Sequence, residues 1–161
     1  MTDELYGHGV RVRVPRDWEA EIATLDDDVA PVGDRLGLQA RVTPRVRLHL
    51  ANFALPAERG DYGSNAVEIM DGGGVLIVVL EFDAASASTP LFAAEGVPVG
   101  LVPGDFSPDS LQRRLPGQGG AQRFFHVGSR SFGLYVVLGS LRSAPVLVRE
   151  VNRLLEGVSI D

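Results

Sequence analysis

The chain has 161 residues, 21 acidic side chains against 15 basic ones, and no cysteine. This length suits one α+β domain, residues 1–161, that buries a core without a covalent staple, and the absence of thiols excludes disulfides, cysteine nucleophiles and cysteine-based metal sites. A net charge of −6 disfavours nucleic acid and anionic membranes as partners, and all the basic residues are arginine, which excludes lysine-centred catalysis.

The opening MTDELYGHGV has neither a basic region nor an apolar one of the kind a secretory signal needs. Next, Val10, Val12 and Val14 alternate with Arg11 and Arg13, the pattern of a half-buried strand. Pro15 to Asp17 reads as a turn. Trp18, Ala20 and Ile22 then alternate with Glu19 and Glu21, predicting a second strand in a hairpin with the first. Residues 25–44 show the weakest pattern and read as a long loop, its three consecutive aspartates solvated rather than aimed at a cation.

Arg45 to Phe53 alternates again, with Val46, Leu48 and Leu50 on one face and Arg45, Arg47 and His49 on the other. Ser64 fits the cap of a short helix, NAVEIM, stopped by Gly72 to Gly74. VLIVVLEF is continuous rather than alternating, as in a central strand covered on both faces, and its apolar run is far too short to span a bilayer. Ser107-Pro108-Asp109 starts a brief helix that Pro116-Gly117 ends. Two strands follow, Gln122 to Val127 and Ser131 to Leu138, joined at Gly128 to Arg130. The strongest helical pattern comes last: Ser143 as cap, then Ala144, Leu147, Val148, Val151, Leu154 and Leu155 in one apolar stripe. Gly157 ends it, and Val158 to Ile160 adds a short strand. The architecture expected is α+β, a mostly antiparallel sheet with the C-terminal helix packed across it.

The chemical signals are few. Gly117, Gly119 and Gly120 follow a helix and precede a strand, the reverse of the order that puts a phosphate on a helix N-terminus, and no P-loop lysine follows. Gly128-Ser129-Arg130-Ser131 lacks the spacing of a nucleophile elbow, and Gly139-Ser140 lacks its flanking pattern. His8, His49 and His126 are scattered and form no metal-ligand pair, while Glu19 and Glu21 read as solvated acids on one strand face. No catalytic residue, cofactor site or metal site is assigned. The remaining candidate is an anion-binding patch of Arg47 and His49 on one strand, joined by either Arg123 or His126 from another; their odd spacing sets those two on opposite faces. The competing reading is an ordinary solvent-facing strand surface.

The segments HGVRVRVPRDWEAEI and VLVREVNRLLEGVSI resemble the opening and the close of PsbP-like proteins, and the middle resembles uncharacterised actinobacterial proteins, in keeping with the arginine bias of a GC-rich genome. The PsbP-like resemblance implies an α/β/α sandwich, an antiparallel sheet with helices on both sides. It also implies binding or scaffolding rather than catalysis. The family's photosystem subunits and lipoproteins carry a signal or lipobox cysteine that this sequence does not show, so their partners do not carry over. The function expected is thus a cytoplasmic, non-catalytic interaction module for another protein, without membrane insertion, that docks through an edge strand or the 25–44 loop. The alternatives are a small anionic-ligand protein or enzyme using Arg47, His49, Arg123 or His126, and a self-assembling homo-oligomer.

Overall fold

The computed structural model describes residues 2–25 and 45–161, so the expected 25–44 loop lies, apart from Leu25, outside the described residues. Strand β1 (Thr2–Gly7) precedes the first strand anticipated from sequence, β2 (Val10–Pro15), and the two pair antiparallel. Their two-residue turn puts His8 at φ 51° and Gly9 at φ 80°, the double left-handed geometry that matches the twist of a hairpin.

The hairpin predicted between β2 and the Trp18 segment does not form. The Pro15–Trp18 turn, closed by a 3.0 Å hydrogen bond from Trp18 N–H to the Pro15 carbonyl, sends β3 (Glu19–Thr24) into a different sheet. Both edges of β2 are already taken, by β1 and by β8 (Val158–Ile160). β3 pairs instead with β4 (Val46–Ala51), and β4 with β5 (Val75–Glu81). Strands β6 (Gly119–Val127) and β7 (Arg130–Leu138) form the anticipated hairpin across Gly128 and Ser129. The molecule thus has two antiparallel sheets, in the orders β1-β2-β8 and β3-β4-β5-β7-β6.

Helix α1 (Ala144–Glu156) buries the six stripe residues read from the sequence. Ser143 stands at its cap but makes no capping hydrogen bond. The stripe packs with Val46, Leu48 and Leu50 of β4, Val75, Ile77 and Val79 of β5, and Phe132, Leu134, Val136 and Leu138 of β7. Val10, Val12 and Val158 join the same cluster, so the helix and both sheets share one core. Every residue of β5 is buried, as expected of a strand covered on both faces.

The second face of the five-stranded sheet is covered differently from expectation. NAVEIM forms hydrogen-bonded turns rather than a helix; Asn65 has φ 73°, which breaks the right-handed path. Among the described residues no α-helix lies on this face. The cover is a turn-rich segment, 52–74, whose Ala66, Val67 and Met70 pack on Leu76, Val78, Tyr135 and Val137. A Cβ on Gly139 would collide with the Asp71 carbonyl, so the turn at 71–74 lies directly on the end of β7. The anticipated helix at Ser107 is a single 3₁₀ turn, Pro108–Ser110, with the Ser107 side chain accepting from Asp109 N–H.

Candidate functional site

The covered second face holds Arg47 and His49. β3 and β4 run in register with Glu21 opposite His49, and alternation puts Arg47 and His49 on the face away from α1. The segment after β4 then folds back over them. Arg47 Nη1 donates to Asp61 Oδ1 at 2.9 Å, and Arg47 Nη2 to Glu21 Oε1 at 3.0 Å. Arg59 Nη2 lies 2.8 Å from the same Glu21 oxygen, and Arg59 Nη1 donates to the Pro56 carbonyl at 2.6 Å.

His49 sits at the centre with no exposed surface. Arg59 Nε–H can only donate, so at 2.8 Å it fixes His49 Nδ1 as an acceptor. The other ring nitrogen, Nε2, therefore carries the proton and donates to the Asp61 carbonyl at 2.8 Å. Burial, together with the neighbouring Arg47 and Arg59 charges, pushes its pKa down to about 4 against the opposing pull of the Asp61 hydrogen bond and Glu21. The imidazole is thus neutral, locked in one tautomer and used at both nitrogens, with no lone pair left for a substrate proton. Burial raises the Glu21 carboxyl, but the hydrogen bond from Arg47 and the charge of Arg59 outweigh it and hold the group below its ordinary value.

Two guanidinium groups meet two carboxylates here, so the cluster is neutral and keeps no spare positive charge for an anion. Its effect is mechanical: it clamps the 52–65 segment to β3 and β4. Glu19 adds a further tie, its Oε2 accepting Leu55 N–H at 2.8 Å. The solvent-facing reading of Arg47 and His49 is corrected, because the returning segment buries them. Glu19 and Glu21 are exposed on one strand face, as read from the sequence, and both also hold that segment.

The proposed patch of Arg47 and His49 with either Arg123 or His126 does not assemble. Arg123 and His126 lie on β6, which β5 and β7 separate from β4, a span of roughly 14 Å at three strand spacings. Arg123 stands opposite Leu134 and so belongs to the helix-side face, where it pairs with Asp105 at 2.9 Å. His126 does share the face of His49, but its Nδ1 is 2.6 Å from the Phe92 carbonyl, and its backbone N–H binds the Ala94 carbonyl. The predicted opposite faces of Arg123 and His126 are observed; their convergence with Arg47 is not. The glycines at 117–120 likewise cradle nothing: Gly117 turns at φ 80°, and a Cβ on Gly119 would strike Leu141, so the stretch tucks β6 beneath that side chain.

Reasoning from sequence missed Arg59 and Asp61, because they lie in a loop without periodicity. A signal did exist in Glu21, whose acid complements Arg47 once β3 and β4 are paired. Among the described residues no group of three or more His, Asp or Glu is placed to hold a metal ion, and no helix is long and apolar enough to cross a membrane.

The second candidate surface is the edge of β1, which among the described residues is the end strand of its sheet. In a two-residue hairpin the closing pair, Gly7 and Val10, is hydrogen bonded, so bonding alternates along the register. Leu5 and Asp3 therefore bond inward to β2, while the backbone groups of Thr2, Glu4 and Tyr6 point outward. The bond from Arg13 N–H to the Gly157 carbonyl, 3.0 Å on the far side of β2, confirms the phase. Asp3, Glu4 and Tyr6 are exposed along this edge, with Arg11 stacked over the Tyr6 ring at 5.3 Å.

The chain matches no protein-family model, no curated protein and no solved structure at a significant level.

Proposed function

We propose that this chain is a non-catalytic, cytoplasmic interaction module that binds another protein by adding an extended segment of that partner to the open edge of β1. The observation that carries this reading is the outward row of backbone groups at Thr2, Glu4 and Tyr6, since an unpaired edge recruits a strand through its main-chain hydrogen bonds. Exposed Asp3 and Glu4 beside that row, on a protein of net charge −6, favour a basic segment as the occupant. The charge-neutral pairing of the Arg47–His49 cluster, with both nitrogens of His49 already engaged, supports the same reading. The resemblance of both termini to PsbP-like proteins, and the sandwich it implies, belongs to this proposal too.

The register supplies the test. Proline at Glu4 removes an outward N–H and no ladder bond; proline at Leu5 removes a bond to β2. Partner capture from host lysate should be lost in Glu4→Pro at unchanged melting temperature. A partner retained by Glu4→Pro overturns the edge reading. Capture of the chain itself, with a matching change in light scattering, would make the occupant a second copy.

A further inference from the structure

A groove of about 320 Å³ opens where the turn after β2 meets the end of β4 and the outer side of α1. That size falls at the small end of ligand sites, which run from about 300 to 1,000 Å³. The lining is more polar than apolar: Asp17, Glu150 and Arg153 supply three charges and Asn52 an amide, while Trp18 and Pro15 provide the apolar surface over an almost wholly buried Leu154. Trp18 and Glu150 are half-buried, and Asp17 and Arg153 are exposed. Among the described residues none of these three charged side chains has a hydrogen bond or an ion pair. Glu150 and Arg153 are spaced three apart on one helix, where opposite charges normally meet, yet they do not close on each other. The contrast with the other face is direct, because there every buried charge has found its opposite within the chain.

We infer that this groove binds a free α-amino acid with an apolar or aromatic side chain. Two carboxylates and one guanidinium on a single groove call for a ligand with both signs of charge, its ammonium toward Asp17 and Glu150 and its carboxylate toward Arg153. The half-buried Trp18, beside Pro15, is the surface that takes the side chain. A singly charged ligand would leave one sign unanswered. The inference is independent of the β1 edge, which belongs to a different strand and uses none of these residues.

Trp18 is the only tryptophan of the chain, so its fluorescence reports on this groove alone. The probes are L-phenylalanine, phenethylamine, which lacks the carboxylate, and 3-phenylpropionate, which lacks the ammonium. The expected result is a saturable change in Trp18 emission with L-phenylalanine, and binding of either analogue weaker by about tenfold or more, as loss of a charge-assisted contact implies. Arg153→Gln should weaken L-phenylalanine and leave phenethylamine unchanged; Glu150→Gln should weaken it and leave 3-phenylpropionate unchanged. Both residues sit on the outer side of α1, so each variant folds, and an unchanged melting temperature checks it. No emission change at millimolar L-phenylalanine overturns the inference. Equal affinity for all three probes, or binding indifferent to both variants, overturns it as well.

Discussion

The two faces of the five-stranded sheet are held by different physics. On one, α1 lays a stripe of six buried apolar side chains across β4, β5 and β7. On the other, a segment without regular structure is tied down by Arg47, Arg59, Glu21, Asp61 and His49 over a smaller apolar patch. Apolar burial is non-directional and tolerates any partner of the right shape. The clamp is directional: its bonds join particular atoms, and removing Arg59 leaves the buried His49 Nδ1 without a partner. The helix face therefore depends on volume, and the clamped face on pairing and on protonation state.

That contrast is broken most severely on the helix side. Leu155 is 1% exposed, and Leu155→Ala should cost about 2–5 kcal/mol in urea unfolding through the cavity it leaves. A loss below about 1 kcal/mol would show the helix to be peripheral.

Next in size is the pH response of the clamped face. His49 has an ordinary pKa of 6.5 when unfolded and about 4 in the fold, so between these values the unfolded chain binds the extra proton. Stability should therefore fall as pH drops from about 6.5 to about 4, by on the order of 3 kcal/mol in total, and His49 adds no further loss below that. Glu21, held below its ordinary value, acts in the same sense as pH falls through the carboxylate range. Unfolding measured at pH 7 and at pH 4.5 should show this decline in the natural chain and a shallower one in His49→Gln. Parallel profiles would mean that His49 is not neutral in the fold.

Arg59→Met should cost about 1–3 kcal/mol, because the buried His49 Nδ1 loses its donor and Glu21 keeps only Arg47 of its two guanidinium partners. It should also speed proteolysis within 52–65, while Leu155→Ala speeds cleavage generally. Uniform cleavage in both variants would mean that the two faces open together. The smallest effect belongs to Arg123→Met. It removes the pair with Asp105 but leaves the Asp105 carboxylate on Val102 N–H, and with the two side chains 41% and 27% exposed it should cost no more than about 1 kcal/mol.

Legibility followed the same division. The strands of alternating pattern, the continuous run of β5 and the stripe of α1 could be read because their periodicity is set by a single core face. The short helix at NAVEIM was misread from its cap and length, since only the conformation of Asn65 shows that the backbone turns away. Arg47 and His49 could be assigned to one face of β4 but not to an environment, because alternation tells side from side and not what covers a side.

The sequence by itself determined the α+β class, the buried stripe, the absence of any thiol or lysine chemistry and the acidic balance. All of these follow from residue identity and local spacing. Only the tertiary structure decided that β3 leaves β2 for β4, that Arg59 and Asp61 come back over His49, and that Trp18 meets Glu150 and Arg153 across a groove. Each of these is a meeting of residues far apart in the chain. Such meetings depend on which strand edges are already occupied and on where a loop returns, and no local pattern encodes either.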